Sequence, residues 1–192
     1  MAIQHTLFIS TTRIKKDTAL GGSCDDNLLL PYILMAQDRY ILPVLGTDLY
    51  DKLISDIQGS SLTGDYLTLL QTYIQPALVQ FSFSVVLPFL RLRFVNNSVV
   101  TMDSEQGSSV SHEDLKPLIS ASMDQGEFLR ERLIDYIQNN TSSFSEYSSN
   151  TGADLTPTTQ NYYAGLNLDV APVSNKVKSF IQGAGITIVD VC

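Results

Sequence analysis

Apolar residues recur at helical spacing from about residue 25 to residue 140, and outside those limits the pattern fails. In the first helix Leu29, Ile33, Ala36, Tyr40 and Ile41 mark one face, with Asp38 and Arg39 opposite. Ser23-Cys24-Asp25-Asp26 supplies its start, Asp26 being placed to answer Ser23 as in a capping box. Pro31 is expected in the first turn, where a missing N–H costs nothing. Pro43 and Gly46 end the helix. Thr47 then caps a second one, TDLYDKLISDIQ, with Leu49, Leu53 and Ile57 on one side and Gly59 as its stop.

The spacing predicts a third helical region from Asp65 to about Val100. Tyr66, Leu69, Leu70, Tyr73, Ile74, Ala77, Leu78, Phe81, Val85 and Phe89 line a face that widens towards all-round burial. That breadth predicts the central element of a bundle, and Pro76 and Pro88 predict kinks or a break in it. Residues 101–109 read as a loop. Ser111-His112-Glu113-Asp114 then opens a helix with acids in its first turn, where the dipole favours them. It runs to about Asn140, with Leu115, Ile119, Met123, Phe128, Leu129, Leu133 and Ile137 towards the core. Glu127, Arg130 and Glu131 point outwards, and Pro117 and Gly126 weaken its interior.

The two ends read differently. Leu7, Phe8 and Ile9 have strand character, after which TTRIKKDTALGG breaks up. Beyond Asn140, TSSFSEYSSNTGADLTPTTQNYYAGLNL has no period and reads as an extended arm. Val177 to Ile181 suits a short helical turn, and GAGITIVDVC ends the chain with a strand-like run. The expected fold is therefore mainly α. A small bundle of four or so helices over residues 23–140 carries an N-terminal arm, 1–22, and a Ser/Thr/Asn-rich C-terminal arm, 141–192, both partly β.

Composition narrows the function. The 192 residues suffice for one domain with a core. Only 17% are charged, against a usual ~25%, so the surface can pack on protein neighbours without desolvating many charges. Twenty acidic against twelve basic residues leave a net charge of −8, which argues against wrapping nucleic acid. Such a balance suits a wall that DNA slides past, although simple solubility is the commoner reason for it. Cys24 and Cys192 lack the spacing a metal or a redox pair needs; Cys24 near a helix start is best read as an incidental thiol. No signal-like segment opens the chain. No stretch reads as a membrane span, since Ser82 and Ser84 interrupt QFSFSVV and Arg91 and Arg93 bound it. Folding in a reducing cytoplasm is expected.

Candidate chemistry is sparse. The histidines are His5 and His112, and HEDL lacks the second histidine of a zinc-protease helix. Asp25 and Asp26 are adjacent, so on a helix they diverge by about 100° and cannot share a proton. GAGITIV sets glycines before a strand, the reverse of a dinucleotide site. Arg91 and Arg93, with Phe89 and Phe94, are too few for a phosphate track and are expected to pair with carboxylates. Arg13, Lys15 and Lys16 form a small basic knot. No catalysis, metal or cofactor is expected.

One stretch says more. Asp-Asp before an amphipathic helix, then AQDRYILPVLGTDLYDKLI, resembles the head-to-tail connector family of tailed bacteriophages, the adaptor or ring proteins that dock beneath the portal. The likeness is closest to the versions in crAss-like phages of gut Bacteroidales. They share the order of helix, Pro-x-Leu-Gly break and Leu-Tyr-Asp-x-Leu. The motif covers residues 24–58, and the helix order extends the likeness to about residue 140. The resemblance implies a virion protein of the head–tail neck, assembled in the host cytoplasm as a ring, commonly twelvefold. Its implied partners are its own copies, the portal protein and adjacent tail or ring proteins, with DNA passing through unbound and no membrane.

Under that reading the arms are the contact elements. Val177, Phe180, Ile181, Ile186, Ile188 and Val189 are the candidates for binding the portal or a neighbour. Leu7, Phe8 and Ile9 are the candidates for an inter-subunit arm. The alternative is a helical DNA-handling factor of packaging or regulation, with Arg13, Lys15, Lys16, Arg91 and Arg93 on phosphates.

Overall fold

The computed structural model describes residues 5–21, 24–90, 92–95, 98–101, 112–149 and 154–158. The chain divides into two units, Met1–Asn161 and Tyr162–Cys192, and the second lies outside the described residues. The described part is mainly helical: α1 (Thr11–Asp17), α2 (Asp26–Leu45), α3 (Thr47–Gln58), α4 (Gly64–Leu90), α5 (His112–Asn139) and α6 (Ser145–Ser149).

Helix α4 is the central element, packed against both α2 and α5. Its Ala77, Leu78, Phe81 and Val86 are fully buried, as the widening apolar face predicts. From α2 come Leu29, Ile33, Ala36 and Ile41, from α3 Leu49 and Leu53, and from α5 Leu133 and Ile137. Stacked rings fix the helix pairs: Tyr40 on Phe81 at 4.2 Å, Tyr32 on Phe89 at 4.6 Å, and Tyr73 on Tyr136 at 4.0 Å.

The prolines act differently from expectation. Helix α2 runs through Pro43 and ends only at Leu45, before Gly46. A wide π-type turn at Gln37–Ile41 displaces the hydrogen-bond ladder just ahead of Pro43, the Leu42 N–H reaching back to the Gln37 carbonyl. The same device precedes Pro76, where Leu69–Ile74 is wide and the Gln75 N–H reaches the Leu70 carbonyl. A proline ring clashes with the carbonyl four residues back, and the extra residue in the turn relieves that clash. Pro31 falls in the second turn, not the first, because α2 starts at Asp26. The cap is Asp25, whose carboxylate accepts from the Asn27 N–H; Ser23 lies outside the described residues. Carried through their prolines, α2 and α4 become long and apolar enough to cross a membrane by length and composition, which the sequence reading denied. Much of that apolar surface packs inside the bundle.

Helix α4 stops at Leu90, about ten residues sooner than periodicity suggests. An antiparallel hairpin follows, β1 (Leu92–Val95) on β2 (Ser98–Thr101), with Val95 opposite Ser98. The β-branched run FVNNSVV and its Asn-Asn pair are the hairpin signal that the helical period overrode.

Both presumed arms also differ near the core. Residues 5–10 form no strand, and Thr11–Asp17, expected to be irregular, is a helix capped by the Ser10 hydroxyl on the Arg13 N–H. Its Ile14 is fully buried. The Ser-rich run after Asn140 turns back on the bundle. Phe144 is fully buried and Tyr147 nearly so, and the Tyr66 hydroxyl donates to Glu146 at 2.6 Å. Two aromatic anchors thus outweigh a composition typical of extended chain. Phe128, expected in the core, stands 60% exposed. The buried stripe of α5 runs through Ser122, Gly126, Leu133 and Ile137, and Phe128 lies about 200° from Gly126 on the outer side.

Candidate interaction site

The best-built polar arrangement lies where the N-terminal segment meets the helices. Gln37, in the wide turn of α2, is fully buried. Its Oε1 accepts from the Phe8 N–H at 2.8 Å, while its Nε2 donates to the Thr6 carbonyl at 3.0 Å and to the Tyr50 hydroxyl at 2.7 Å. Tyr50 in turn donates to Asp38 at 2.9 Å. Gln75 of α4 donates to the Phe8 carbonyl at 2.8 Å, and Gln58 of α3 donates to the Thr6 hydroxyl at 2.8 Å. A carboxamide donates and accepts with one uncharged group, so Gln37 and Gln75 satisfy this backbone, and Gln58 the Thr6 hydroxyl, without burying a charge. The Phe8 ring is 3% exposed and lies 5.2 Å from the Tyr50 ring.

Beside this segment runs an open groove of about 700 Å³, lined among others by His5, Leu7, Ile9, Leu30, Gln71 and Gln75. The basic knot next to it is engaged. Arg13 pairs with Asp17 at 2.7 Å and donates to Gln75 at 3.0 Å, and Lys15 pairs with Asp26 at 2.7 Å. Lys15 also holds the Asp26 carboxyl below its ordinary value. Burial, and then Asp38, push the Tyr50 phenol up to about 12; burial and Glu146 do the same for Tyr66. Burial raises the Glu146 carboxyl, but hydrogen bonds from Tyr66, the backbone and Ser145 outweigh it and leave it lowered.

The sign for the tyrosines is definite. A phenol raised in the folded state stabilises fully below its unfolded value of about 10, and that contribution is lost as pH rises towards about 12. The urea midpoint is therefore expected to fall across that window. Tyr50→Phe should remove part of the slope, and an unchanged slope in both Tyr50→Phe and Tyr66→Phe would contradict the assignment.

The second arrangement lies at the break between α2 and α3. Thr47 does not cap its own helix. Its hydroxyl accepts from the Leu155 N–H at 3.0 Å and its N–H donates to the Leu155 carbonyl at 3.1 Å, while the Thr158 N–H reaches the Pro43 carbonyl at 2.9 Å. Gly46 has φ +74, and a Cβ there would sit 2.8 Å from Pro157. The Pro-x-Leu-Gly break is thus a seat for residues 155–158 as well as a helix end.

Of the sequence candidates, Phe8 and Ile9 lie in the core of their own chain and Leu7 packs against it. Val177, Phe180, Ile181, Ile186, Ile188 and Val189 lie outside the described residues, as does Arg91; Arg93 lies in β1. His5 is exposed at the groove and His112 opens α5. Sequence reasoning missed Gln37, Gln58 and Gln75. Gln37 alone carried a signal, a polar residue on the apolar face beside Ala36 and Tyr40.

No group of histidine, cysteine and carboxylate side chains that could hold a metal occurs among the described residues. Fold and surface define a mainly helical domain whose polar constructions hold segments of chain. Residues 41–156, well over half the chain, match the model of DUF6712, a family of unknown function, and the chain belongs to that family. No curated protein and no solved structure matches it.

Proposed function

We propose that this chain is a structural virion protein of a tailed phage, a head–tail connector subunit without catalysis. Its copies close into a ring, twelvefold in the manner of that family, below the portal. The ring links the portal to the next tail component around the DNA channel, and DNA passes without specific binding. The observation that carries this reading is the likeness of residues 24–58 to the connector family, from the Asp-Asp start through PVLG to LYDKLI.

Surface features support it. Leu28, Leu30 and Met35 of α2 and Phe128 of α5 are exposed, and subunit contacts would cover them. The net charge of −8 suits a conduit that phosphates do not stick to. The DNA-handling alternative is weakened because Arg13 and Lys15 already face Asp17 and Asp26. The C-terminal arm, with Val177, Phe180, Ile181, Ile186, Ile188 and Val189, is assigned to the portal side, its strand-like run suited to strand addition.

Deleting residues 176–192 tests the assignment. The shortened protein is expected to keep its urea midpoint and to lose co-sedimentation with portal rings of the same phage. Undiminished co-assembly would contradict it.

A further inference from the structure

The N-terminal segment is held as a bound peptide is held. Residues 5–9 form neither helix nor strand, and their main-chain bonds go to side chains of other elements. Phe8 is gripped through both its N–H and its carbonyl, by Gln37 of α2 and Gln75 of α4. Thr6 is gripped through its carbonyl by Gln37 and its hydroxyl by Gln58 of α3. Phe8 fills an apolar pocket beside Tyr50, and Ile9 is equally buried. Main-chain capture with pockets for selected side chains is how proteins take up an extended segment. The three helices form a groove, and its occupant here is the chain's own start.

The connection from this occupant to the bundle is held lightly where it is described, through Leu20 and Cys24, both only partly buried against the core. Thr18 to Gly21 are half-buried or exposed, and Gly21 has φ +65 with open space around it. The Lys15–Asp26 pair that tethers α1 to α2 has a 60% exposed carboxylate, and such pairs contribute little. The strong contacts of residues 5–17 are thus in the groove and at Ile14, and every one of them forms equally well with a segment supplied by another chain.

We infer that the groove formed by Gln37, Gln58 and Gln75 is an inter-subunit site. In the assembled ring it receives residues 5–17 of a neighbouring copy. This rests on the ring reading above. Exchange of an identical element replaces each bond by the same bond, so its cost lies in opening the connection after Asp17. One segment and one groove per copy gives a head-to-tail contact, the kind that closes into a ring. In a lone chain the tether keeps the segment at high effective concentration in its own groove, and the neighbours in a ring supply a competing one.

Crosslinking decides who supplies the segment. The Thr6 hydroxyl and Gln58 Nε2 are 2.8 Å apart on an exposed edge, so Thr6→Cys and Gln58→Cys leave the buried contacts alone. Chains carrying one or the other, each with Cys24→Ser and Cys192→Ser, are co-expressed and treated with a short bis-maleimide. Native mass is read in parallel. A covalent pair of one T6C and one Q58C chain is expected in the assembled fraction and is lost when Gln37→Leu is added. An assembled ring with no such pair, while the T6C/Q58C double variant links only within its own chain, overturns the exchange and leaves the ring reading standing. No ring and no pair overturns both.

Discussion

Gln37→Leu is expected to be the most damaging single substitution of similar volume in this chain. It removes three hydrogen bonds at once and leaves the Phe8 N–H and the Thr6 carbonyl unpaired, while the Tyr50 hydroxyl keeps its bond to Asp38. A buried polar group left unpaired costs about 1–3 kcal/mol, so the combined loss should be about 3 kcal/mol or more. The loss has a location as well as a size. Residues 5–17 should detach first, opening Arg13, Lys15 and Lys16 to trypsin while α4 stays protected. A urea midpoint near that of the parent, with no earlier tryptic cut, would show that Gln37 does not hold the segment.

Gly126→Ala is expected to destabilise, although alanine is normally the better helix former by about 1 kcal/mol. A Cβ at Gly126 would lie 2.8 Å from the Phe81 ring. That ring is fully buried and stacked on Tyr40 at 4.2 Å with the planes 6° apart, so moving it disturbs a filled core. Overpacking a filled core costs about 1–3 kcal/mol, so the net change should be a loss of about 1 kcal/mol or more. Phe81→Leu vacates the space, and in that background Gly126→Ala should turn neutral or stabilising. Stabilisation by Gly126→Ala in the parent would show that α5 can move away from α4.

Much of the bundle was legible because it obeys a single rule. Leu29, Ile33, Leu49, Leu53, Leu78 and Leu133 fall where a 3.6-residue period puts them, and all are buried. The failures have physical causes. Pro43 read as a helix end, and Pro76 as a kink or a break, because a clash with the preceding turn is a local rule, whereas the wide turns that relieve it leave no mark in composition. Phe144 and Tyr147 were lost among serines, since a few aromatic anchors can fold a polar run without any period. Thr47 was read as a cap because the residue that uses it, Leu155, is 108 positions away. The glutamine groove was the least legible, as its role appears only when three helices bring Gln37, Gln58 and Gln75 to the same few residues.

Native mass spectrometry of the purified protein, alone and mixed with portal rings from the same phage, tests the central proposal most directly. The proposal predicts a closed oligomer, or a stoichiometric complex that forms once the portal is added, with the mass giving the copy number. A monomer that stays a monomer beside the portal would contradict it.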